Sequence, residues 1–519
     1  MTQTSPTPAD LTAEFGTYDM ILRRWAAVQP EALALRDDHG ELSWREMDEA
    51  LDRIAARLAE TGLQRGQSVA ILGYSSIAYA LVFLAAVRAG GVAAPLTTSA
   101  SPAQLAGMAA DSGARHIFID RAKLTELGED CFPGMERIVL DEALESWMAP
   151  AGATPPAFAP EPRDPFNIIY SSGTTGTPKG IVHSHLMRWR QFATTAASYR
   201  ASEQPVRALA STPLYSNTTM VAFLAPLLAG GTVSVMAKFD ALRWLEIAQA
   251  QAITHTMLVP VQYRRLMQEP RFDGFDLSAL RYKYCTSAPF SAELKAEVLE
   301  RMPGALIEIY SMTEGGVVCL LAAHEHRDKL HTVGRPAPGS ELLVLDDEDR
   351  PVPPGTPGNL VGIGPAMMMG YKNQPGKTAE GYWTHPETGQ VWQRMGDIGR
   401  LDAEGFLELV GRAKDMIISG GFNIYPVDLE DALMAEDDVV EAAVIGVASE
   451  HWGETPVGFV VLAEGAREVE AIRNAVNARL GKTQRLAQLH ALEDMPRSHI
   501  GKLLKTELRA EALRRGRPD

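Results

Sequence analysis

An alternation of helix-type and strand-type patterns constrains the fold of this chain more than any other feature. Residues 42–62, LSWREMDEALDRIAARLAETG, place apolar side chains at helical spacing and end at a glycine. Residues 67–74, QSVAILGY, predict a strand, which is followed by an apolar helix and the strand-type run GVAAPL. The same rhythm continues through GTVSVM, HTMLVP, RYKYCTS and ALIEIYSMTE. This order predicts an α/β fold, with layers of helices on a largely parallel sheet.

The pattern changes twice toward the carboxyl end. From about residue 330 the helical patterns stop, and short strands with Pro-Gly turns predict a small antiparallel or barrel-like subdomain. Beyond residue 411 helical and strand patterns return in a segment long enough for a small α+β domain. We therefore predict a large N-terminal domain over residues 1–410 and a small C-terminal domain over residues 411–519. Residues 150–165, rich in Pro and Ala, predict an exposed connector.

Composition and charge exclude several classes of protein. The 519 residues are 46% hydrophobic and 22% charged, which is typical of a globular chain with more than one domain. The formal net charge of −16 argues against a nucleic-acid-binding protein. Three cysteines, without the spacing of metal ligands, favour a reducing cytoplasm.

No segment predicts membrane insertion. The amino-terminal residues MTQTSPTPAD lack the basic and apolar regions of a signal peptide. The most apolar window, residues 77–95, is interrupted by Arg88 and two glycines, so it predicts a buried helix followed by a strand. The sequence leaves the oligomeric state open, and a homodimer is one possibility.

The segment YSSGTTGTPKG, residues 170–180, has the composition of a phosphate-binding loop. Its glycines allow a close approach of the backbone to a ligand, its hydroxyls add donors, and Lys179 adds a positive charge. It is not a P-loop, because no Ser or Thr follows Lys179. A second partial match at residues 376–378, GKT, also fails and is expected to form a turn. By composition alone, such loops are more often plain connectors. The candidate phosphate ligands are Ser171, Ser172, Gly173, Thr174, Thr175, Gly176, Thr177 and Lys179.

The order of residues in this loop resembles the phosphate-loop signature of the adenylate-forming (acyl-activating) superfamily, which includes acyl-CoA synthetases, peptide-synthetase adenylation domains and firefly luciferase. Four later stretches resemble motifs of the same superfamily, in the same order. They are IYSMTEGG (309–316), MGDIGR (395–400), GRAKDMIISGGFNIYPVDLE (411–430) and PRSHIGKLLK (496–505). The resemblance implies an enzyme that joins a carboxylate to ATP and releases pyrophosphate.

The resemblance also implies roles for single residues. Glu314 would bind Mg²⁺, and Thr313 would donate to the α-phosphate. Asp397 would accept both ribose hydroxyls, with Arg412 near the ribose and phosphates. Lys502 would bridge the acid and the α-phosphate in the adenylation transition state. Outside the motifs, such residues are more often a helix cap, a turn, a surface ion pair or a solvated charge. Further nucleotide-binding candidates are Tyr310, Ser311 and Met312.

The C-terminal domain is expected to turn about a hinge at Lys414 between two half-reactions. The rotation would bring the segment with Gly420, Gly421 and Asn423 to the adenylate and open a tunnel for a thiol. Coenzyme A is the expected acceptor, so ATP, Mg²⁺ and coenzyme A are the implied substrates and cofactors of an acid–thiol ligase. Two alternatives stay open: an acyl-AMP ligase that loads a carrier protein, and a degenerate protein that binds nucleotide without catalysis.

The resemblance places the acyl pocket along three stretches dominated by small and apolar residues. This composition predicts an apolar monocarboxylic acid, either aromatic and phenylpropanoid-like or a medium to long fatty acid. Ser216 stands where many relatives carry His, so the pocket is expected to differ in shape or polarity. Ser311 and Ser498 replace a usual Gly and Thr, with little expected effect. The candidate pocket residues are Tyr215, Ser216, Ser287, Gly315 and Gly316.

Overall fold

The fold was analysed in a computed structural model of the chain. The structure describes residues 5–128, 130–171, 179–202, 204–419, 422–449, 451–481, 484–498 and 502–516.

Sixteen α-helices lie within these residues: α1 Pro8–Leu11, α2 Tyr18–Val28, α3 Trp44–Glu60, α4 Ile77–Arg88, α5 Pro102–Ser112, α6 Arg121–Leu127, α7 Glu142–Trp147, α8 His185–Ala201, α9 Met220–Leu228, α10 Ala241–Ala250, α11 Pro260–Met267, α12 Ala292–Arg301, α13 Pro375–Glu380, α14 Pro426–Met434, α15 Val469–Arg479 and α16 Lys505–Arg515.

The same described residues contain 26 strands: β1 Leu33–Arg36, β2 Glu41–Ser43, β3 Ser68–Leu72, β4 Val92–Leu96, β5 His116–Ile119, β6 Glu136–Val139, β7 Pro165–Ser171, β8 Lys179–Ser184, β9 Arg207–Ala210, β10 Thr232–Val235, β11 His255–Leu258, β12 Tyr282–Cys285, β13 Ala305–Met312, β14 Gly315–Ala322, β15 Arg335–Pro336, β16 Glu341–Leu345, β17 Gly358–Ile363, β18 Gly370–Tyr371, β19 Tyr382–Thr384, β20 Val391–Leu401, β21 Leu407–Arg412, β22 Ile417–Ser419, β23 Phe422–Ile424, β24 Val439–Ser449, β25 Gly453–Leu462 and β26 Gln488–Ala491.

The chain divides into two compact units. The first consists of Met1–Leu330, Pro336–Glu341 and Ile363–Gln393, and the second of His331–Arg335, Leu342–Gly362 and Arg394–Asp519. The predicted domain boundary between residues 410 and 411 falls within the second unit and stays a prediction.

The first unit is built on two largely parallel sheets. A nine-stranded sheet has the order β15-β14-β13-β12-β11-β9-β10-β1-β2, and a seven-stranded sheet has the order β18-β8-β7-β4-β3-β5-β6. Pairing is parallel from β1 through β10, β9, β11 and β12 to β13, whereas β13–β14 and β7–β8 are antiparallel hairpins. The α/β class with much parallel sheet is therefore confirmed.

Helices α3 and α4 show why local sequence specifies these layers. Ser43 and Glu46 form a capping box at the start of α3, and Gly62, with φ +88°, follows its end. The apolar side chains of α3, among them Met47 and Leu51, are buried. In α4 every residue from Tyr79 to Arg88 is buried, so the most apolar window of the sequence forms a core helix followed by strand β4, as predicted.

The second unit contains one complete five-stranded sheet and the larger part of another. One has the order β16-β17-β20-β19, with β21 paired to β20, and the other has the order β23-β22-β25-β24, with β26 paired to β25. Helices α14 and α15 contribute Leu429, Leu433 and Ile472 to a core with strands of the latter sheet. This α+β arrangement agrees with the predicted small C-terminal domain.

One element contradicts the sequence expectation. Helix α13 covers the GKT segment at residues 376–378, where a turn was predicted, and it lies in the region predicted to lack helices. The reason is local: Pro375 occupies the first helical turn with its backbone torsion already suited to a helix. Among the described residues, no helix combines the length and apolarity needed to cross a membrane.

Candidate active site

The hairpin of strands β7 and β8 holds both ends of the predicted phosphate loop. Tyr170 pairs with Gly180 and Ser171 with Lys179 across the two antiparallel strands. The predicted ligands Ser172, Gly173, Thr174, Thr175, Gly176 and Thr177 lie outside the described residues. The loop therefore spans two paired strand ends, as its sequence setting predicted.

A tyrosine joins two of the predicted site residues. The Nζ atom of Lys179 lies 4.9 Å from the ring centroid of Tyr371, and the Tyr371 hydroxyl donates to Oε1 of Glu314 at 2.9 Å. Burial and the Glu314 charge raise the pKa of Tyr371, so its hydroxyl stays protonated and can donate. Strand β18 delivers Tyr371 by pairing it with Ile181 of β8. The sequence reasoning missed this residue, because Glu314 is 57 positions away and no local pattern joins them.

Thr313 and Glu314 form the turn between strands β13 and β14. Met312 pairs with Gly315 across the hairpin, so the two residues are its tip, and both are partly exposed. Gly315 has φ +94°, and a β-carbon there would collide with the carbonyl oxygen of Ala366. The Glu314 carbonyl accepts from the backbone of Met368 at 2.9 Å. The tip is thus fixed by backbone packing and leaves its two side chains accessible.

The other residues of this motif lie on β13, where Tyr310 is buried and Ser311 donates from Oγ to the Met312 carbonyl at 3.3 Å.

A buried arginine lies behind the turn. Arg188 of α8 is fully buried and donates to Oδ1 of Asn167 at 2.8 Å, Oε1 of Gln191 at 2.6 Å, Oδ1 of Asn217 at 2.8 Å and Nδ1 of His183 at 2.8 Å. The Nε2 atom of His183 bonds the Thr313 carbonyl at 2.8 Å. Burial, together with the Arg188 charge, holds the pKa of His183 well below its ordinary value, so the imidazole is neutral.

The predicted acyl-pocket residues form two groups. Tyr215 is buried and its hydroxyl bonds side chains of the Thr97–Ser99 segment, while burial raises its pKa. Ser216 accepts from the backbone of Thr218, and the Thr218 hydroxyl bonds that of Ser287. Ser287 has φ +82°, a strained conformation for a residue other than glycine. Gly315 and Gly316, the other predicted members, are buried at the start of β14. Thr218 is an additional residue of this region that the sequence reasoning did not select.

The second unit carries the predicted ribose-binding pair. Asp397 of β20 and Arg412 of β21 are cross-strand partners, and the Arg412 Nε atom lies 3.1 Å from Oδ1 of Asp397. The Asp397 side chain is 10% exposed and that of Arg412 is 52% exposed. The structure brings these two residues together as the resemblance implied, and their role stays a prediction.

Lys502 and Lys414 lie in two other segments of the second unit. Lys502 is exposed at the end of a short hairpin, where its backbone bonds Ser498 twice, at 2.8 and 3.1 Å. Lys414 lies in a single 3-10 turn, and burial together with Arg412 and Arg509 lowers its pKa. Asn423 lies in β23, paired with Ile418, whereas Gly420 and Gly421 lie outside the described residues.

Two groups of the first unit suit a phosphate with a metal ion. Lys179 supplies a cation, and Tyr371 lies between it and the Glu314 carboxylate. In the parts of the chain that the structure describes, no group of three or more His, Cys, Asp or Glu side chains is placed to hold a metal ion. A single carboxylate is nevertheless adequate for Mg²⁺ when phosphate oxygens complete its coordination.

Comparison with known proteins identifies the family. A model described as "AMP-binding enzyme" matches residues 22–372, more than half of the chain, and one described as "AMP-binding enzyme C-terminal domain" matches residues 428–502. The chain belongs to the AMP-binding enzyme family. It is an enzyme of the adenylate-forming superfamily and an AMP-forming acid–thiol ligase.

Three similar proteins illustrate the range of this family. Feruloyl-CoA synthase of Amycolatopsis sp. is 32% identical over 491 residues, covering 94% of this chain and 97% of its own. Fatty acid–[acyl-carrier-protein] ligase ScoC of Streptomyces coeruleorubidus is 29% identical, with 93% of each chain covered. The crystal structure of ATP-bound MatB from Rhodopseudomonas palustris has a TM-score of 0.82 at 27% identity, covering 96% of this chain and 99% of that one. The fold class is confirmed.

Proposed function

We propose that the protein activates an apolar monocarboxylic acid with ATP and transfers the acyl group to coenzyme A. In the first step a carboxylate oxygen attacks the α-phosphorus, the bond to the bridging oxygen of the β-phosphate breaks, and pyrophosphate leaves. In the second step the thiol attacks the acyl carbonyl carbon and gives its proton to solvent, and AMP leaves. The contact of Lys179, Tyr371 and Glu314 beside Thr313 carries this proposal.

In this proposal each charged group offsets a charge of the reactants. Lys179 and the loop before it hold the β- and γ-phosphates, which become the leaving pyrophosphate. Thr313 donates to the α-phosphate, and Lys502 approaches the carboxylate and α-phosphate where negative charge builds up. Asp397 and Arg412 hold the ribose. Lys414 serves as the hinge, and the segment with Gly420, Gly421 and Asn423 forms the thiol tunnel.

Mg²⁺ fits the donor set at Glu314. One oxygen of this partly exposed carboxylate accepts from Tyr371, and a carboxylate has a second oxygen to offer a cation. Glu314 and the phosphate oxygens would hold the ion, which when bound supplies charge neutralisation to the phosphates. Tyr371 orients the carboxylate and keeps its ring against Lys179.

The pocket residues support an acid whose tail is mainly apolar. Tyr215 is buried with its hydroxyl engaged, and the hydroxyls of Thr218 and Ser287 bond each other. An apolar tail or an aromatic ring would therefore contact hydroxyls that already have hydrogen-bond partners, rather than an unpaired charge. The likeness to feruloyl-CoA synthase favours a phenylpropanoid-like acid, and that to ScoC favours a fatty acid.

A cavity in the second unit supports coenzyme A as the acceptor. It has a volume of about 480 Å³ and is lined in part by Trp452, Arg473, Asn474, Asn477 and Arg485. Arg473 is engaged with Glu470 and with the carbonyls of Leu486 and Ala487. The guanidinium of Arg485 and the indole of Trp452 are therefore the groups suited to the phosphates and the purine of coenzyme A. A carrier protein, the alternative acceptor, has no such nucleotide for this cavity to bind.

A reducing compartment suits the cysteines. Cys131, Cys285 and Cys319 form no disulfide with one another, and the last two are buried. We propose the cytoplasm as the location on this basis.

The test is an acid panel assayed in two stages. Aromatic acids and fatty acids of graded length are screened for exchange of labelled pyrophosphate into ATP without coenzyme A. We expect exchange with at least one acid, and formation of its thioester and AMP once coenzyme A is added. Turnover to ADP and phosphate would contradict the proposal. Exchange followed by transfer only to a phosphopantetheinylated carrier protein would establish the alternative acceptor, and the lack of any adenylate would indicate a degenerate protein.

A further inference from the structure

We propose that Arg188 and His183 are positioning residues that hold the Thr313 carbonyl and tie it to the acid-binding segment at Asn217. Neither residue belongs to the motifs described above, and neither contacts the substrates in the proposed reaction. The inference rests on the proposed function, because it concerns the geometry of the same adenylation step. Its physical content is a set of hydrogen bonds in which Arg188 donates to Asn217 and to His183, and His183 donates to the Thr313 carbonyl.

Arg188 is the centre of this chain. Its guanidinium is fully buried, and all three nitrogens donate to side chains from three other elements and from its own helix. These four acceptors are all neutral: two asparagine oxygens, a glutamine oxygen and an imidazole nitrogen. A buried charge with only neutral acceptors is costly unless its geometry is completely satisfied. Four bonds between 2.6 and 2.8 Å meet that requirement and fix the arginine rigidly.

The arginine determines the tautomer of His183. A guanidinium can only donate, so the His183 Nδ1 atom at 2.8 Å must accept. The ring proton of the neutral imidazole is then on Nε2, which donates to the Thr313 carbonyl at 2.8 Å. No other tautomer satisfies both contacts. The position of the Thr313 peptide is therefore set by a charge that lies two hydrogen bonds away.

The same arginine reaches the acid side of the site. Asn217 follows Tyr215 and Ser216, the predicted acyl-pocket residues, and precedes Thr218, whose hydroxyl bonds Ser287. The bond from Arg188 to Asn217 thus joins the pocket segment to the turn that carries Thr313 and Glu314. Asn167, on the strand that enters the phosphate loop, is held by the same guanidinium. One buried cation links the strand before the phosphate loop, the acid segment and the Thr313 turn.

The test compares substitutions of His183 that keep or remove the two bonds. In His183→Gln the amide can still accept from Arg188 and donate to Thr313, whereas His183→Leu can do neither. His255→Leu is the matched control, because His255 is also a buried, neutral histidine and its Nε2 atom has no hydrogen-bond partner among the described residues. Each variant is assayed for pyrophosphate exchange, for thioester formation from supplied acyl-adenylate, and for thermal stability. KM for ATP and for the acid is measured separately.

We expect His183→Leu to lower kcat for exchange on the order of tenfold, the loss of about one hydrogen bond in the transition state. Thioester formation from supplied adenylate should fall less than threefold, because the Thr313 contact to the α-phosphate serves adenylation. His183→Gln should restore exchange to within threefold of the wild type. His255→Leu should leave exchange unchanged.

Three results would overturn the positioning role. They are exchange by His183→Leu at the wild-type rate, equal losses in His183→Leu and His255→Leu, and equal losses in both half-reactions. Should His183→Leu fail to fold, Arg188→Lys decides: it keeps the buried charge but not the four-bond geometry, so tenfold slower exchange supports the role and wild-type exchange refutes it. Wild-type protein inactive with every acid would instead refute the proposed function itself.

Discussion

The two regions proposed to act on the α-phosphate are built in opposite ways. The turn of Thr313 and Glu314 is held by backbone contacts, by the Tyr371 hydroxyl and, through His183, by a buried arginine. Lys502 is exposed on a short hairpin, whose described bonds run from the Ser498 N–H to the Lys502 carbonyl, from the Leu504 N–H to the Pro496 carbonyl and from the Lys502 N–H to Ser498 Oγ.

The contrast corresponds to two proposed tasks: the Thr313 turn orients the substrate, and Lys502 moves during the reaction. A group fixed before the substrate binds loses no further conformational freedom in the transition state, which makes it effective for orientation. Lys502 is exposed, and a side chain that is not enclosed by packing suits a group that must leave after adenylation. The first region should therefore be sensitive to substitutions behind it, and the second mainly to loss of the lysine itself.

The largest expected effect comes from Lys502→Ala. Removing the charge should slow adenylation on the order of a hundredfold, or ~3 kcal/mol, while thioester formation from supplied adenylate is largely kept. Stability should not change, because Lys502 is exposed. Pyrophosphate exchange, single-turnover thioester formation and a thermal melt measure the three quantities. Arg514→Ala on α16 is the control for loss of an exposed cation from the same unit. Equal losses in both half-reactions would contradict the assigned role.

A smaller effect is expected when the support of Glu314 is weakened. Tyr371→Phe keeps the ring against Lys179 but removes the hydroxyl that donates to the carboxylate. A bond to a charged group contributes roughly 1.5 kcal/mol, so exchange should slow about tenfold, and half-maximal activity should need more Mg²⁺. A magnesium titration of the exchange rate measures both. Tyr382→Phe removes a neighbouring phenol and should change neither; an unchanged titration in Tyr371→Phe would refute the supporting role.

The buried His183 behind the Thr313 turn should also make the stability of the protein sensitive to acid. The pKa of His183 is well below its ordinary value in the folded protein, so between pH 6.5 and 5.5 only the unfolded chain takes up a proton at this position. With an ordinary histidine pKa of about 6.5 in the unfolded chain, unfolding is then favoured by about 1 kcal/mol over that interval. His183→Gln cannot titrate, so its stability should fall less on acidification by about this amount. Denaturant unfolding at both pH values tests this, and equal losses in the two proteins would contradict it.

The smallest effect should follow changes to the Lys502 hairpin. Ser498→Ala removes the Oγ acceptor of the Lys502 backbone N–H and should slow adenylation about threefold, because one exposed bond contributes roughly 0.5–1 kcal/mol. Ser498→Thr keeps the hydroxyl and should match the wild type within twofold. A loss in Ser498→Ala as large as in Lys502→Ala would show that the hairpin needs the same rigidity as the Thr313 turn.

Local patterns predicted the framework of the fold well. The helical spacing and terminal glycine of α3, and the apolar run of α4, depend on neighbours in sequence, and both helices form where the patterns indicate. Helix α13 was missed because six residues carry too little periodicity to be recognised.

The residues of the site were predicted where their contacts join sequence neighbours, and missed where the contacts join distant parts of the chain. The turn of Thr313 and Glu314 was found through a continuous motif, and the strands that flank the phosphate loop follow from its neighbours. Tyr371 and the bonds of Arg188 depend on partners brought together only by sheet pairing, with the Thr313 carbonyl 130 positions from His183. The role of Arg188 has no local signal in the sequence, since nothing near it in the chain shows which groups its guanidinium contacts.

The packing of Gly315 has a consequence for engineering this enzyme. A β-carbon at this position would collide with the Ala366 backbone, so Gly315 cannot accept a side chain unless that backbone shifts. Directed evolution of substrate range or rate should therefore find few viable variants at Gly315. Productive variation is expected among the residues around it, such as Thr218 and Ser287, where a substitution can reshape the pocket and leave the reacting groups in place.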